Sequence, residues 1–142
     1  LERSIDKVPF WSDAQRISTI FNNILSNAVK YHNPVAMDPW VKISIEVNEQ
    51  RAMIIVQDNG IGIEGHHVDH IFNMFYRATE LSKGSGLGLY IVKEIVSRLK
   101  GSVMVESAAG EGTTIKIILP NQAHSQATKP SATEQSQLAA SA

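Results

Sequence analysis

Cysteine is absent from this chain of 142 residues, which excludes disulfide bonds and thiol chemistry and fits a reducing compartment. The chain also lacks an excess of either charge: 13 Lys and Arg residues oppose 14 Asp and Glu residues, for a formal net charge of -1. Because there is no overall basic field, nucleic acid is not expected as the main partner. A chain of this length can bury a core and is expected to form one domain.

Long apolar runs are lacking as well. None approaches the ~20 residues that span a bilayer, and no signal-peptide pattern is present. We therefore expect no direct membrane contact and a cytoplasmic location for this chain, whether or not a longer parent protein carries a membrane anchor.

No aromatic residue follows position 120. The segment from there onward consists mainly of Gln, Ser, Ala, Thr and Lys. Such a segment cannot bury enough apolar area to offset its ordering entropy. We predict a domain over residues 1–120 and a disordered tail over residues 121–142.

Hydrophobic spacing predicts interleaved helices and strands over the rest of the chain. The first long helix begins at a cap formed by Ser12 or Asp13 and ends near Pro34, with its apolar residues on one face. The predicted elements are, in chain order, a strand at 8–11, this helix, strands at 41–47 and 52–56, a short helix at 67–72, a helix at 89–99, and a hairpin of strands at 103–106 and 114–119. This order favours an α/β (α+β) two-layer sandwich, in which a mixed, mostly antiparallel sheet packs against about three helices.

A glycine-rich turn leads directly into the second long helix. Glycines on alternate positions leave backbone N–H groups uncovered, and the first helical turn adds unpaired donors and the positive end of the helix dipole. Such a turn is an anion site and suggests phosphate binding. Its sequence is Gly84-Ser85-Gly86-Leu87-Gly88-Leu89.

The first helix carries a polar stripe beside its apolar face. Asn23, Asn27 and Lys30 follow one another at helical spacing, and Tyr31 lies at the border of the two faces. A solvated face is the commoner explanation for such a stripe, but asparagine is a mediocre helix former that a solvated face has little reason to use. Two amide oxygens one turn apart can instead coordinate a hard cation such as Mg²⁺, with the lysine placed for phosphate.

A second glycine-rich loop follows the predicted strand at 52–56. It begins at Asp58, whose carboxylate can accept a hydrogen bond from an exocyclic amine, and its glycines allow a flat ring to approach the backbone. The spacing of Gly60, Gly62 and Gly65 also matches the dinucleotide fingerprint. That interpretation fails because no second parallel strand with an acidic end follows about 20 residues on. An ordinary Asp-Asn-Gly turn is the remaining alternative.

Basic and aromatic residues surround the predicted mobile loop at 78–83. The aromatic cluster at 72–76 is typical of a satellite core. Arg77 and Lys83 flank the loop, from which either cation can reach a terminal phosphate, although isolated basic residues are more often surface charges.

Three histidines precede this cluster. His66 and His70 form an i, i+4 pair with His67 between them. Asp69 is the one acidic residue at a convincing spacing, so a metal site is disfavoured here. No nucleophile-elbow pattern supports Ser-His-Asp catalysis either.

Taken in this order, the motifs resemble those of the catalytic and ATP-binding domain of sensor histidine kinases, in the gyrase–chaperone–histidine kinase–MutL superfamily. The resemblance covers roughly residues 8–120. It rests on four motifs in the family's order: the N box at 23–31, the G1 motif at 58–62, the F motif at 71–77 and the G2 motif at 84–89. It implies the Bergerat ATP-binding fold, ATP and Mg²⁺ as cofactors, and transfer of the γ-phosphate to a histidine.

The resemblance also implies a role for each matching residue of the first helix. Asn27 is expected to be the Mg²⁺ ligand, and Asn23 to support the water shell of the metal or the phosphates. Lys30 is expected to contact phosphate. These three are the expected catalytic residues, and Tyr31 would flank the nucleotide.

The loops supply the remaining roles that the resemblance implies. Asp58 would bind the adenine amino group, with a water shared with Thr113, and residues 77–85 would form a short ATP lid. The other expected nucleotide-binding residues are Gly60, Gly62 and Ile63 of the G1 loop, Arg77 and Lys83 of the lid, and Gly84, Ser85, Gly86, Leu87, Gly88 and Leu89 of the phosphate-cradling turn.

One position separates the branches of this superfamily. Hydrolysing relatives such as the gyrase-like ATPases place a glutamate, as general base, where this chain has Asn23, and an amide cannot accept that proton. The resemblance therefore implies that ATP is held for a histidine nucleophile, with catalysis by positioning and electrostatic stabilisation. The alternatives are a nucleotide-sensing binding module without phosphotransfer and an anti-sigma-type serine kinase. The short lid and the F motif favour the histidine-kinase branch.

The resemblance implies partners in addition to ATP. None of the five histidines lies in the family's acceptor pattern of His-Glu followed by Arg and Pro. The acceptor helix is therefore expected on a dimerisation and histidine-phosphotransfer domain that precedes Leu1 in the full protein. A response regulator receiver domain would be the second partner. The isolated domain is expected to be a monomer and the full protein a homodimer.

Overall fold

Asp13 starts the first helix of the structure. The computed structural model describes residues 8–78 and 85–122. The Asp13 side chain accepts a hydrogen bond from the Arg16 N–H at 3.0 Å, and α1 runs over Ala14–Lys30. The predicted helix is confirmed, with Asp13 rather than Ser12 accepting the capping bond.

Four strands form one sheet behind the helices. The remaining elements are β1 (Val41–Val47), β2 (Arg51–Asp58), α2 (Gly65–Val68), α3 (Gly88–Arg98), β3 (Ser102–Ala108) and β4 (Gly112–Pro120). The strand order is β1-β2-β4-β3. The predicted two-layer sandwich is confirmed, but every strand pairing within the described ranges is antiparallel rather than mixed. None of the helices in these ranges combines the length and apolar character needed to cross a bilayer.

The core lies between the two long helices and the two central strands. Alternate residues of β2 and β4 are buried. Burying each large apolar side chain contributes about 1.5–3 kcal/mol relative to leaving it in water. The buried core residues are Ile20, Ile24, Ile54, Val56, Val92, Val96, Leu99, Ile115, Ile117 and Leu119. The core therefore fixes α1 and α3 side by side on the sheet.

The predicted strand at 8–11 is wrong, because backbone groups of this segment are hydrogen-bonded to the side chain of Asn121 and not to a neighbouring strand. Asn121 is buried, and its Oδ1 accepts a hydrogen bond from the Trp11 N–H at 3.0 Å. Its Nδ2 donates to the carbonyls of Pro9 at 2.8 Å and of Asn48 at 3.0 Å. One amide thus ties the segment before α1 to the β1–β2 hairpin and to the end of β4.

The predicted short helix at 67–72 begins and ends earlier than expected. α2 covers only four residues, and no side chain caps its start at Glu64. Beyond it, hydrogen bonds that span three residues produce consecutive tight turns instead of a regular helix. The N–H groups of His67, His70, Asn73 and Tyr76 each donate to the carbonyl three residues earlier.

Two sequence predictions concern segments outside the described residues. The predicted mobile loop at 78–83 lies outside them from residue 79 onward, and the predicted disordered tail lies outside them from residue 123 onward. Asn121 and Gln122 do belong to the described body, since the Gln122 N–H donates to the Trp11 carbonyl at 3.0 Å. The described body therefore extends two residues past the predicted boundary at 120.

We predict that Asn121→Ala lowers the free energy of unfolding by about 2–3 kcal/mol. The substitution leaves partly buried backbone groups of Pro9 and Trp11 without their side-chain partner. Urea unfolding followed by circular dichroism measures this loss. Gln122→Ala, at the exposed neighbour, is the matched control and should stay within about 0.5 kcal/mol of the parent chain. Equal values for the two variants would show that this amide does not hold the segment.

Candidate functional site

A cavity of about 350 Å³ opens between α1, the start of α3 and the adjoining ends of β2 and β4. Its size is in the range of small-molecule sites. Thirteen of the residues singled out from the sequence line it: Asn23, Asn27, Lys30, Tyr31, Asp58, Gly62, Ile63, Arg77, Ser85, Gly86, Gly88, Leu89 and Thr113. The fold therefore brings motifs from distant parts of the chain to one place. Two further predicted residues, Lys83 and Gly84, lie outside the described ranges.

The last two predicted site residues, Gly60 and Leu87, are not among the described residues that line the cavity. Gly60 is buried, and the next residue, Ile61, donates its N–H to the Tyr31 carbonyl at 3.0 Å. This bond joins the G1 loop to the end of α1. Leu87 precedes α3, and its carbonyl accepts a hydrogen bond from the Ile91 N–H at 2.9 Å. The roles expected for Gly60 and Leu87 toward a nucleotide stay predictions.

The polar stripe of α1 presents amide groups to the cavity. The Asn23 Nδ2 donates to the Thr19 carbonyl at 2.8 Å, so the nitrogen of this amide is committed to the helix. The Asn23 Oδ1 then remains as an acceptor. The Asn27 side chain has no hydrogen-bond partner among the residues the structure describes and is available to a ligand.

The helix α3 begins beside these two amides. Gly88 is its first residue, and no side chain caps the helix, so the N–H groups of its first turn are available to an anion. A Cβ at Gly88 would lie 3.1 Å from the Asn23 Oδ1 and 3.8 Å from the Asn27 Nδ2. A Cβ at this position would require the Asn23 amide to shift by a few tenths of an ångström. The cavity thus combines an anion-binding helix end with two amide side chains.

Two exposed basic residues add positive charge to the cavity wall. The Lys30 Nζ lies 4.8 Å from the centre of the Tyr31 ring, in a cation–π contact. Arg77, the last residue of the F motif, also lines the cavity. Both charges favour an anionic ligand over a neutral one.

Asp58 provides an acceptor at the end of β2. Its Oδ1 accepts a hydrogen bond from the Gly60 N–H at 2.9 Å, which fixes the carboxylate and leaves its other oxygen for a ligand. Asp58 pairs with Thr113 in the register of β2 and β4. The two predicted adenine-binding residues are therefore neighbours across the sheet.

Ser107 fixes Thr113, and sequence reasoning missed it. The Ser107 Oγ accepts from the Ile63 N–H at 2.9 Å and donates to the Gly112 carbonyl at 2.8 Å. It also lies 3.0 Å from the Thr113 Oγ1. Since a serine has one hydroxyl hydrogen, Thr113 donates to Ser107 and keeps its own acceptor capacity for a ligand. No motif marks Ser107, because its role arises from the β3–β4 pairing.

A backbone hydrogen bond joins Phe75 and Gly86, which lie on either side of the segment predicted to be a lid. The Phe75 N–H donates to the Gly86 carbonyl at 3.1 Å. Both residues have positive φ, 64° and 70°, which is uncommon for a residue other than glycine. A Cβ at Gly86 would lie 2.7 Å from the Phe75 carbonyl carbon, so this contact requires glycine.

Sequence reasoning also missed most of the apolar lining. The further lining residues are Ile24, Ser26, Ala28, Val56, Ile61, Ile71, Tyr76, Ala78 and Ile115. Ile24, Val56 and Ile115 belong to the buried core, and periodicity identified them only as core. A flat apolar ring can pack on this surface while its polar edge reaches Asp58.

The sequence matches known proteins along most of its length. Residues 12–123 match the family described as histidine kinase-, DNA gyrase B-, and HSP90-like ATPase. The sensor histidine kinase RppB of Synechocystis sp. is 36% identical over 121 residues, which are 82% of this chain and 26% of that protein. The sensor protein kinase WalK of Staphylococcus aureus is 40% identical over 114 residues, which are 76% of this chain and 27% of that protein. The chain therefore spans about a quarter of the length of these relatives.

Solved structures share the fold. The mycobacterial sensor histidine kinase MprB superposes with a TM-score of 0.67 at 30% identity, covering 78% of this chain and 76% of that chain. Full-length ShkA in complex with AMPPNP superposes with a TM-score of 0.64 at 28% identity, covering 78% of this chain and 22% of that chain. The resemblance found in the four motifs is confirmed. This chain belongs to the histidine kinase-, DNA gyrase B- and HSP90-like ATPase family, as the ATP-binding domain of the sensor histidine kinase type.

Proposed function

We propose that this chain binds ATP together with Mg²⁺ in the cavity and supplies the γ-phosphoryl group to a histidine on a dimerisation domain of a longer parent protein. The observation that carries the proposal is the close approach of the uncapped start of α3, at Gly88, to Asn23 and Asn27. The same cavity holds Asp58 at a strand end. The complex of the related ShkA with AMPPNP supports an adenine nucleotide as the ligand.

The side chains of α1 fit a magnesium ion. Mg²⁺ prefers oxygen ligands and keeps several waters when it binds to proteins. The Asn27 amide would ligate the ion. The Asn23 Oδ1, oriented by the bond from its Nδ2 to Thr19, would accept a hydrogen bond from a metal-bound water. When bound, the ion would neutralise charge on the phosphates.

The remaining groups would hold the nucleotide at its two ends. The adenine ring would pack on the apolar lining, and its amino group would donate to Asp58 and, through a water, to Thr113. Lys30, Arg77 and the first-turn N–H groups of α3 would bind the phosphates. Fixed charges and dipoles of this kind would stabilise the negative charge of the phosphates.

The chemistry at Asn23 favours transfer over hydrolysis. Its amide cannot accept a proton from water, so the site lacks a general base at this position. An acceptor imidazole nitrogen would instead attack the γ-phosphorus, forming an N–P bond as the bond to the β–γ bridging oxygen breaks and ADP leaves. The protein would contribute by positioning the reactants and stabilising the charge on the transferring group.

The partners follow from this reaction. The acceptor histidine would lie on a helical dimerisation domain of the parent protein, which we propose to be a homodimer, and a response regulator receiver domain would take the phosphoryl group onward. We propose that the isolated domain is a monomer that works in the cytoplasm, where ATP is available, without binding nucleic acid.

Two substitutions should separate adenine recognition from metal binding. Asp58→Asn keeps an oxygen for the Gly60 N–H but places an NH₂ donor opposite the adenine amino group. We expect it to weaken ATP, ADP and adenosine binding by about 10–100-fold, with or without Mg²⁺. Asn27→Ala should weaken ATP binding by about tenfold in the presence of Mg²⁺ and leave binding in EDTA nearly unchanged. Isothermal titration calorimetry measures both.

Asn22→Ala is the matched control, since Asn22 is an exposed asparagine on the same helix. It should bind all three ligands as the parent chain does. A loss of affinity for Asn27→Ala that is the same in EDTA as in Mg²⁺ would contradict the metal-ligand role. Unchanged adenosine binding by Asp58→Asn would contradict adenine recognition at the end of β2.

Ser107→Ala should weaken adenosine and ATP binding by about 3–10-fold without direct contact between Ser107 and the ligand. The substitution removes the acceptor that orients the Thr113 hydroxyl, a bond worth about 1 kcal/mol. A double-mutant cycle with Thr113→Val should be non-additive, because the two residues act as one unit. Ser102→Ala, at an exposed position of the same strand, is the control. Additive losses in the cycle would show that Ser107 acts elsewhere.

Phosphotransfer is tested with radiolabelled ATP and an added dimerisation domain that carries an acceptor histidine. We expect acid-labile, base-stable phosphate on the acceptor and little free phosphate from the chain alone. Asn27→Ala and Asp58→Asn should each abolish the labelling. ATP binding without transfer to any matched acceptor would favour the nucleotide-sensing module, and acid-stable phosphate on serine would favour the serine kinase.

A further inference from the structure

A cluster of histidine and glutamate side chains lies outside the nucleotide cavity, in the tight turns around α2. Glu64, His66 and His67 each offer one ligand atom, and the three atoms lie within 4.8 Å of one another. This set differs from the one that the sequence suggested. The acidic member is Glu64 rather than Asp69, and His70 is directed elsewhere, with its Nδ1 3.5 Å from the Asn73 Nδ2.

The cluster forms because the turns bring positions i, i+2 and i+3 together. The His66 Nδ1 lies 3.5 Å from the Glu64 Oε2, and the ring centres of His66 and His67 are 3.9 Å apart. Glu64 and His66 are exposed, so an ion pair between them contributes little by itself. The close spacing of three donors is therefore not explained by stabilisation of the fold.

A second contact orients one of the ligands. The His67 Nδ1 is hydrogen-bonded to the Tyr76 hydroxyl. Histidines that bind metal ions almost always engage their second ring nitrogen in this way, because the bond fixes the tautomer and the ring plane. The His67 Nε2 is then free to coordinate. Tyr76 also lines the nucleotide cavity, so the cluster is connected to the cavity wall.

We propose that Glu64, His66 and His67 bind a borderline divalent transition metal ion, with Zn²⁺ as the best match. Two imidazole nitrogens and one carboxylate oxygen are the ligand set that such ions prefer, whereas Mg²⁺ and Ca²⁺ prefer oxygen ligands alone. Three protein ligands leave the fourth position of a tetrahedral ion open to water. This site is separate from the proposed Mg²⁺ site at Asn27 and does not depend on the proposed function.

Titration of the untagged chain with zinc chloride, in buffer free of nucleotide, tests the site. We expect one Zn²⁺ to bind per chain. Glu64→Gln and His66→Gln should each weaken binding by about tenfold or more, and Tyr76→Phe by about tenfold through loss of the bond to His67. His32→Gln is the matched control, since His32 is an exposed histidine whose Nδ1 contacts the Val29 carbonyl instead. It should bind Zn²⁺ as the parent chain does.

NMR of the imidazole groups in the unaltered chain gives a readout that needs no variant. Zinc should shift the ring signals of His66 and His67 and leave those of His32 in place. Equal zinc affinity for the parent chain, Glu64→Gln and His66→Gln would overturn the proposal, as would zinc shifts confined to other histidines. Because both experiments omit nucleotide, their failure would leave the proposed ATP site untouched.

Discussion

The nucleotide cavity depends on how closely the first turn of α3 approaches the polar stripe of α1. Gly88 has no side chain, so the backbone donors of one helix face the amides of the other across a short gap. The packing of Val92 and Val96 against the sheet, with Ile20 and Ile24 of α1, holds the helices at this distance. Protein interiors transmit strain, so the hydrophobic core and the polar site cannot be altered independently. The core of this small domain is thus also the frame of its binding site.

Much of the fold could be predicted because its elements are defined by local periodicity. The amphipathic α1 and the apolar runs of β2 and β4 each carry their own pattern, and the structure has a helix and two strands at these places. The segment at 8–11 does not form the predicted strand, because its backbone groups are hydrogen-bonded to the side chain of Asn121, which lies more than one hundred positions away. A single sequence contains no local signal for such a contact. The tight turns after α2 are also not predicted from the sequence. Segments whose hydrogen bonds span three residues resemble, in their amino-acid sequence, segments whose bonds span four.

The candidate site also contains residues that the sequence predicts and residues that it does not. Residues in the glycine-rich and asparagine motifs were identified because their types are unusual at those positions, and most of them line one cavity. Ser107 and the apolar residues that line the cavity are of types that are common at their positions. Ser107 reaches Thr113 only through strand pairing, and Val56 looks like any other core residue until the cavity beside it is seen. Gly60 is buried, and the N–H of its neighbour Ile61 binds the end of α1, so this part of the G1 loop also has a packing role that the motif alone does not indicate.

The bond between Phe75 and Gly86 has a consequence for how this domain can diverge. It holds the described residues before and after the segment between them at a fixed separation. The free energy needed to close a chain between fixed ends grows slowly with chain length, by about 0.6 kcal/mol for each doubling. Residues inserted between positions 78 and 85 would therefore cost little stability, because the bond between Phe75 and Gly86 would still set the separation of the flanking chain.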